Sequence, residues 1–336
     1  MKNTAIAWAD STWNPWWGCT KVSPGCDHCY ANAFAKRTGK NCWGPNAARQ
    51  TMGKSYWAEP LKWDAAAARG KVGKDGKHWI VFAGDMCDVF DAKGLDGERK
   101  RMWELIRKTP HLIWLLLTKR PENFRKFLPA DWGDGYPNVW LGVTVEDRKH
   151  GFRRVDILRR TPAAVRFLSC EPLLEDVSDV DLTDIDWVIV GGESGPGSRS
   201  FDLEWARKLR ISCAEAHTVF FFKQLGSKPI VGSSPFPILN NQANGKRDLH
   251  GKAPANFPPD LQVQEWPNQD LPLQADAGGL SPEACTQVLK WLNDYAQAPD
   301  IGVLGHLAQS AYASLTGMLQ VFADLSATVP TTKSSS

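Results

Sequence analysis

The sequence Leu112-Ile113-Trp114-Leu115-Leu116-Leu117-Thr118 is an unbroken apolar run, and Lys119 and Arg120 follow it directly. The run has the length of one strand, but length and apolarity alone do not separate a strand from a buried helix. Continuous hydrophobicity, in place of alternation, is typical of a strand that is buried on both faces of a parallel sheet. The run therefore predicts an inner strand of such a sheet.

Similar runs recur on both sides of this one, and helix-like stretches separate them. The other apolar runs are Trp79–Gly84, Asn138–Val145, Val165–Ser169, Trp187–Gly192 and Val219–Lys223. The helix-like stretches are Glu98–Lys108, Pro121–Phe127, Asp147–Arg160 and Leu203–Ala216. A repeat of roughly 22–33 residues is the size of a βα unit. With a seventh strand before Cys19 and a first helix over residues 30–38, the pattern predicts an α/β fold: a partial or full parallel (β/α) barrel, TIM-like.

Polar residues follow each predicted strand at its carboxyl end. In chain order they are Gly84-Asp85-Met86-Cys87-Asp88, Thr118-Lys119-Arg120, Thr144-Val145-Glu146-Asp147, Cys170-Glu171-Pro172, Gly191-Gly192-Glu193 and Lys223-Gln224. A single charged residue after a strand often only starts a loop or caps a helix. Six consecutive strands with such endings predict that these side chains converge on one mouth, where the active sites of β/α barrels lie.

Three cysteines, Cys19, Cys26 and Cys29, occupy the loop after the first predicted strand with the spacing C-x6-C-x2-C. Three thiolates on one tight loop suit a four-iron cluster with one iron open to a further ligand. A zinc site that adds His28 or Cys42 is the main alternative. Three plain buried thiols are a weaker one, since a loop rich in Gly and Pro is a poor place to bury them.

Two further features surround this candidate site. The turn Gly191-Gly192-Glu193 would let a ligand approach the backbone, although a tight βα turn explains it equally well. Arg199 could hold an anion near it. The arginine and lysine clusters on the predicted helices are interpreted as solvated outer faces: Arg99-Lys100-Arg101, Arg153-Arg154 and Arg159-Arg160.

The remaining sequence predicts an appendage to the barrel. Residues 1–226 are assigned to the barrel and its cysteine loop, and the Pro- and Gly-rich residues 227–275 to an extended wrap with a short strand at Leu261–Trp266. Residues 276–326 are expected to be a helical extension with helices at Pro282–Gln297 and Val303–Leu325, and 327–336 a disordered tail.

Composition limits the functional classes. The net charge of +3 is too small to indicate nucleic-acid binding by itself. We expect no membrane association, because no apolar run approaches the length of a membrane span. The chain opens without a signal sequence, so its 8 cysteines are expected to be reduced thiols in the cytoplasm.

Several blocks of sequence resemble a known group of proteins. Trp13-Asn14-Pro15-Trp16-Trp17-Gly18-Cys19 and Gly25-Cys26-Asp27-His28-Cys29-Tyr30-Ala31 resemble the three-cysteine motif of an uncharacterised, phage-associated protein family. Later blocks are similar in the same order: Leu117–Pro121, Asn138–Glu146, Glu171–Leu174, Gly191–Gly195 and Phe221–Gln224. The resemblance covers roughly residues 8–267 and does not reach the C-terminal helices.

That family is similar in turn to radical S-adenosylmethionine (SAM) enzymes, which carry a three-cysteine cluster loop after the first strand of a partial parallel barrel. The resemblance implies that Cys19, Cys26 and Cys29 ligate a [4Fe–4S] cluster whose open iron binds SAM. It implies candidate cofactor contacts at the strand ends: Asp85, Asp88, Lys119, Glu146, Glu171, Gly191, Gly192, Glu193 and Lys223. The chain departs from the common C-x3-C-x2-C spacing, because its first gap is six residues, and it has Gly84-Asp85-Met86 where Gly-Gly-Glu is usual.

The resemblance also implies partners. We expect an electron donor such as a ferredoxin or flavodoxin, a substrate that is nucleic acid or a modified nucleotide, and a partner protein encoded by a phage or in the same operon. Two other functional classes remain open at this point. One is a zinc- or cluster-stabilised nucleic-acid-binding module without catalysis, and the other is a metal-assisted hydrolase that uses the strand-end carboxylates.

Overall fold

The computed structural model describes residues 4–238, 248 and 250–268. The strands are β1 (Ser11–Trp13), β2 (Trp16–Trp17), β3 (Gln50–Thr51), β4 (Trp79–Ala83), β5 (Leu112–Thr118), β6 (Val139–Thr144), β7 (Val165–Cys170), β8 (Trp187–Gly191), β9 (Phe201–Asp202), β10 (Val219–Gln224), β11 (Pro229–Val231) and β12 (Ser234–Pro235). The helices are α1 (Tyr30–Arg37), α2 (Lys54–Trp57), α3 (Glu59–Ala67), α4 (Asp96–Arg107), α5 (Phe124–Phe127), α6 (Arg148–Arg159) and α7 (Leu203–Glu215).

Seven parallel strands form the central sheet in the order β1-β4-β5-β6-β7-β8-β10. Every neighbouring pair is parallel, and the strands follow one another in chain order around the sheet. Helices pack against it, so the body is a partial β/α barrel, or half-barrel. The predicted α/β class and parallel barrel strands are confirmed.

The sheet is buried on both faces, as continuous hydrophobicity predicts. One face of the strands carries Val81, Leu116 and Val143 in a large cluster that also contains buried residues of the helices. The other face carries a separate cluster rich in large aromatic side chains: Trp8, Phe82, Trp140, Phe167, Trp187 and Phe221. Successive side chains along a strand alternate between the two faces, so residue parity determines which strand-end residues face the second, inner side.

Residues 263–266 run beside β10, the last strand of the sheet. The Phe222 amide donates to the carbonyl of Val263 (2.8 Å), and the indole of Trp266 packs against Phe221 (5.0 Å between centroids). The same indole N–H donates to the carbonyl of Trp8 (3.4 Å), which precedes β1. The strand predicted at Leu261–Trp266 is not formed, because Leu261 ends a 3-10 turn and only Gln264 makes an isolated bridge with Phe221.

Other elements were outside the prediction. β2 pairs with β3, and β9 joins β11 and β12 in a small second sheet. These strands have only two or three residues, too few to leave a periodic signal. The predicted helices Pro282–Gln297 and Val303–Leu325 lie outside the described residues. No helix in the described part of the chain is long and apolar enough to cross a bilayer.

Gly142 provides a test of the inner packing. It lies in β6 beside Phe167 of β7, and a Cβ at Gly142 would lie 2.4 Å from the Phe167 ring. We expect Gly142→Ala to destabilise the protein by about 1–3 kcal/mol, because the ring must move within a packed interior. Urea unfolding followed by tryptophan fluorescence measures the change.

Gly97 is the matched control, because it lies in α4 with open space around its Cα. Gly97→Ala should be neutral or stabilising by up to about 1 kcal/mol, since alanine is the better helix former. Equal effects of the two substitutions would contradict the packing described for Gly142.

Candidate functional site

The cysteine loop lies at the carboxyl end of the first sheet strand. Cys19 follows β2, a single turn of 3-10 helix covers Pro24–Cys26, and Cys29 directly precedes α1. All three thiols are free and half-buried. The loop is the first βα loop of the half-barrel, as predicted.

Gly18 sets the path of the loop next to Cys19. Its φ of +114° is a conformation that side chains rarely adopt, and a Cβ there would lie 2.2 Å from the carbonyl oxygen of Cys42. Its amide donates to the carbonyl of Met86 (2.9 Å), which ties the loop to the end of β4. Only glycine can adopt this φ and also avoid the clash with the Cys42 carbonyl.

The spacing of the three thiols can be compared with the spacing of ligands around a single zinc ion. Four ligands around one zinc lie about 3.8 Å apart, given tetrahedral bonds of about 2.3 Å to sulfur. Among the described residues, the three cysteine sulfurs do not all lie within 4.8 Å of one another. The three sulfurs, as they lie, are therefore too far apart to bind one zinc ion together.

The two candidate fourth ligands for zinc are engaged elsewhere. The Nδ1 atom of His28 lies 2.9 Å from Glu193 Oε2. Cys42 is buried in a small apolar cluster with Ala31, Ala35 and Met86. Neither arrangement assembles a closed four-ligand site.

Cys19 lies against a buried ionic network. Arg120 Nη1 donates to Cys19 Sγ (3.6 Å) and to Asp88 Oδ2 (3.0 Å), and both charged side chains are more than nine-tenths buried. Burial and the nearby Asp88 raise the pKa of the Cys19 thiol to about 12, and Arg120 offsets part of this effect. Asp88 is therefore a partner of Arg120, not an open contact at the mouth.

Arg49 and Asp91 extend this ionic network away from Cys19. Arg49 donates to Asp91 (2.9 Å) and to the carbonyls of Cys42 and Gly44 (3.1 and 3.0 Å). The Arg120 side chain also lies 3.7 Å from Asp91. These contacts connect the cysteine loop to the segment that follows β4.

Glu146, at the end of β6, supports the middle of the cysteine loop. Its fully buried carboxylate accepts from the Ser23 hydroxyl and from Arg154 on α6. A Cβ at Gly25 would lie 3.2 Å from its carboxyl carbon, so the loop backbone packs directly on it. Burial would raise the pKa of Glu146, but Lys119, Arg154 and Ser23 lower it below its usual value.

Glu193, after β8, supports the far end of the same loop. Arg199 donates to it through Nε (3.0 Å) and Nη2 (2.6 Å), and His28 pairs with it. The same Arg199 donates to the carbonyl of Pro24 (3.0 Å). Burial would raise the pKa of Glu193, but Arg199 and His28 lower it to about 2. The carboxylate is therefore ionised at neutral pH.

Lys119 and Lys223 lie on the inner side of the strand ends. Lys119 continues the alternation of Leu115 and Leu117 in β5, whereas Lys223 lies at a register shift of β10. The Lys119 ammonium donates to the Thr144 hydroxyl (3.1 Å) and forms no ion pair within the described residues, while its backbone amide donates to Asp88 (3.2 Å).

Lys223 pairs with Glu171, which directly follows β7, two strands away from β10 in the sheet (2.6 Å). It reaches over Gly191, where a Cβ would lie 3.5 Å from the carboxyl carbon of Glu171. The strand register shifts between Phe222 and Gln224, and such bulges re-aim side chains. Packing also requires glycine at position 192, because a Cβ there would lie 2.3 Å from the carbonyl oxygen of Leu225.

Asp85 differs from the other strand-end carboxylates. It accepts from the Asn14 side-chain amide (2.6 Å), and no cation of the described chain lies within 4 Å of it. Burial raises the pKa of Asp85 to about 6. It is the strand-end carboxylate whose charge is left uncompensated.

Two of the solvated faces predicted for the helices are wrong in part. Arg99 and Arg154 are buried, and Arg154 is the cation of Glu146. The helical spacing could have indicated that Arg154 is buried, because it shares an i, i+3, i+4, i+7 stripe with Gly151, Val155 and Leu158. Arg99 shares such a stripe with Met102, Trp103 and Ile106. The neighbouring Arg153 and Lys100 are exposed as predicted.

A group of Glu146, Asp147 and His150 also brings three ligand atoms within 4.8 Å of one another. Its contacts are those of a helix start: Asp147 accepts from the His150 amide (2.7 Å) and pairs with its ring. Glu146 is held by Arg154. Helix capping accounts for this group without an ion.

The fold and the loop together define a partial β/α barrel with three free thiols at its mouth. A family model described as a protein of unknown function, DUF5131, matches residues 3–258, and the chain belongs to this family. No curated protein and no solved structure matches the chain.

Arg154 gives a test of the support under the loop. We expect Arg154→Ala to cost about 3–5 kcal/mol, because it leaves the buried Glu146 carboxylate without its cation. Arg153→Ala, one residue away and exposed, should change stability by less than about 0.5 kcal/mol. Urea unfolding compares the two, and similar small effects would show that Glu146 does not depend on Arg154.

Asp85 gives a test with a defined pH dependence. Its folded pKa of about 6 lies above its unfolded value, so stability present at acid pH is lost as the pH rises towards 6 and beyond. Asp85→Asn should therefore stabilise the protein by about 3 kcal/mol at pH 7.5 and by about half as much at pH 5. The free energy of unfolding in urea at the two pH values measures this.

The exposed Asp134 is the matched control, and Asp134→Asn should shift stability by less than about 0.5 kcal/mol at either pH. A destabilising Asp85→Asn, or a gain independent of pH, would contradict the uncompensated burial of Asp85.

Proposed function

We propose that this protein is an iron–sulfur enzyme of the radical SAM type, in which Cys19, Cys26 and Cys29 bind a [4Fe–4S] cluster. The observation that carries the proposal is the position of the loop: three free, half-buried thiols follow the first strand of a parallel half-barrel. Active sites of parallel (β/α) barrels lie at this end. Three thiolate ligands leave one position of a four-iron cluster open.

When bound and reduced by a donor such as a ferredoxin or flavodoxin, such a cluster would supply one-electron chemistry for the reductive cleavage of SAM. The chain's own residues position the loop for this. Glu146 and Glu193 hold its middle and far end, and Arg120 contacts Cys19.

The remaining charged groups at the mouth are available for recognition. Asp85 can accept from the amino group of SAM, because it has no cation of its own among the described residues. Lys119 is not ion-paired there and can donate to a carboxylate or phosphate oxygen. Lys223 and Glu171 form an ion pair, and a ligand that carries both a positive and a negative group could bind to the two side chains in place of their contact with each other.

Replacement of each cysteine tests the proposal. Cys19→Ala, Cys26→Ala and Cys29→Ala should each lower the iron and sulfide content of anaerobically reconstituted protein from about four irons per chain towards zero. Cys213→Ala is the control, because this cysteine is buried on α7 and is outside the loop. Iron, sulfide and zinc analysis measures the content.

Electron paramagnetic resonance of the reduced protein, with and without SAM, completes the test. A signal that SAM perturbs would support the enzyme. One zinc and no iron per chain would instead support the zinc-stabilised binding module. Equal iron in all four cysteine variants would remove the loop as a metal site.

A further inference from the structure

Exposed aromatic side chains are concentrated beside the cysteine loop. Among the large hydrophobic side chains exposed in the described chain, the two aromatic ones are Tyr30 (58%) and Phe34 (37%), both on α1. The partly buried Trp17 packs edge-on against Phe34 (5.9 Å between centroids). An aromatic face left open to solvent beside a candidate active site is available to stack on a ligand.

Positive charge is concentrated on the same segment. Residues 17–43 contain four basic residues and one acidic residue, Asp27, an excess that equals the net charge of +3 of the whole chain. Lys36, Arg37 and Lys40 are exposed, and no carboxylate of the described residues lies within 4 Å of them. The Arg37 guanidinium lies over the Phe34 ring (5.3 Å to the centroid), so cation and ring share one surface.

We define the rim surface as the exposed residues of α1 and of the turn that follows it: Tyr30, Phe34, Lys36, Arg37 and Lys40. Tyr30 connects it to the mouth. The Tyr30 hydroxyl donates to the carbonyl of Asp85 at the end of β4 (3.1 Å), while its ring stays exposed. Tyr30 directly follows Cys29, the last cysteine of the loop. A ligand that stacks on Tyr30 therefore lies next to the strand ends, where a neighbouring part of the same ligand can bind.

We infer that the rim surface binds single-stranded nucleic acid. Phosphates would contact Lys36, Arg37 and Lys40, and bases would stack on Tyr30 and Phe34. A duplex does not fit this arrangement, because its bases are already stacked and cannot reach exposed rings. That the strand is also the substrate rests on the proposed function, whereas binding to the rim surface does not.

Fluorescence anisotropy with a labelled 15-nucleotide oligothymidylate tests the inference directly. Tyr30→Ala/Phe34→Ala should weaken binding at least about fivefold, since each stacked base loses its platform. Lys36→Ala/Arg37→Ala/Lys40→Ala should weaken it further and reduce the slope of log K against log salt concentration by about two, because three phosphate contacts are lost.

Matched controls exist on other surfaces of the chain. Ile211→Ala removes an equally exposed apolar side chain (58%) from α7, and Lys54→Ala/Lys62→Ala/Arg69→Ala removes three exposed cations near α2 and α3. Both control proteins should bind like the unmodified chain. Circular dichroism melts identify any variant that fails to fold, and the charge and aromatic variants test the surface independently.

The outcomes separate this inference from the proposed function. If Cys19→Ala protein without iron binds the oligonucleotide normally and the rim variants do not, the rim surface binds the strand whatever the loop holds. Equal affinity of the rim variants and their controls would overturn the inference, as would tighter binding of the corresponding duplex. Neither result would alter the iron measurement on which the proposed function depends.

Discussion

Two buried carboxylates, each neutralised by its own arginine, hold the cysteine loop over the end of the sheet. Glu146 pairs with Arg154 and accepts from Ser23, and Glu193 pairs with Arg199 and accepts from the loop's histidine. A carboxylate keeps its charge in the interior without a large loss of stability only when it is paired and hydrogen-bonded. The arginines therefore allow these acids to support a loop that has little apolar area of its own, and the position of the three thiols depends on them.

The inner side of the half-barrel complements this support. Large aromatic side chains fill the inner face of the strands away from their carboxyl ends, and Gly142 leaves space for the Phe167 ring. The alternation of side chains along β5 then places Lys119 above that layer, and the register shift in β10 is where Lys223 pairs with Glu171. Asp85 remains without a cation among the described residues. A partly buried carboxylate without a cation costs stability, and such a cost is typical of groups that are kept for binding or catalysis. The mouth thus separates supporting charges from charges open to a ligand.

The sequence was sufficient to predict most of the sheet. The Leu112–Thr118 strand is observed with the bounds of its apolar run, and the other predicted sheet strands agree within one residue. The helix predicted at Pro121–Phe127 begins with a 3-10 turn and is α-helical only from Phe124, and α3 was not predicted. It was less informative about the site. Asp88, Glu146 and Glu193 were grouped with Asp85 as cofactor contacts, yet the first three are held in ion pairs with arginines. Arg154 was assigned to a solvated face although its helical stripe is apolar.

The amino-acid pattern alone predicts the parallel sheet, the placement of the cysteines after its first strand, and the concentration of charge at the strand ends. These follow from hydrophobic period and composition, which act between near neighbours in the chain. The division of those charges into ones that support the loop and ones that stay open depends on contacts that exist only in the folded chain. Ser23 meets Glu146 across 123 positions and His28 meets Glu193 across 165, and no local pattern records contacts between residues so far apart.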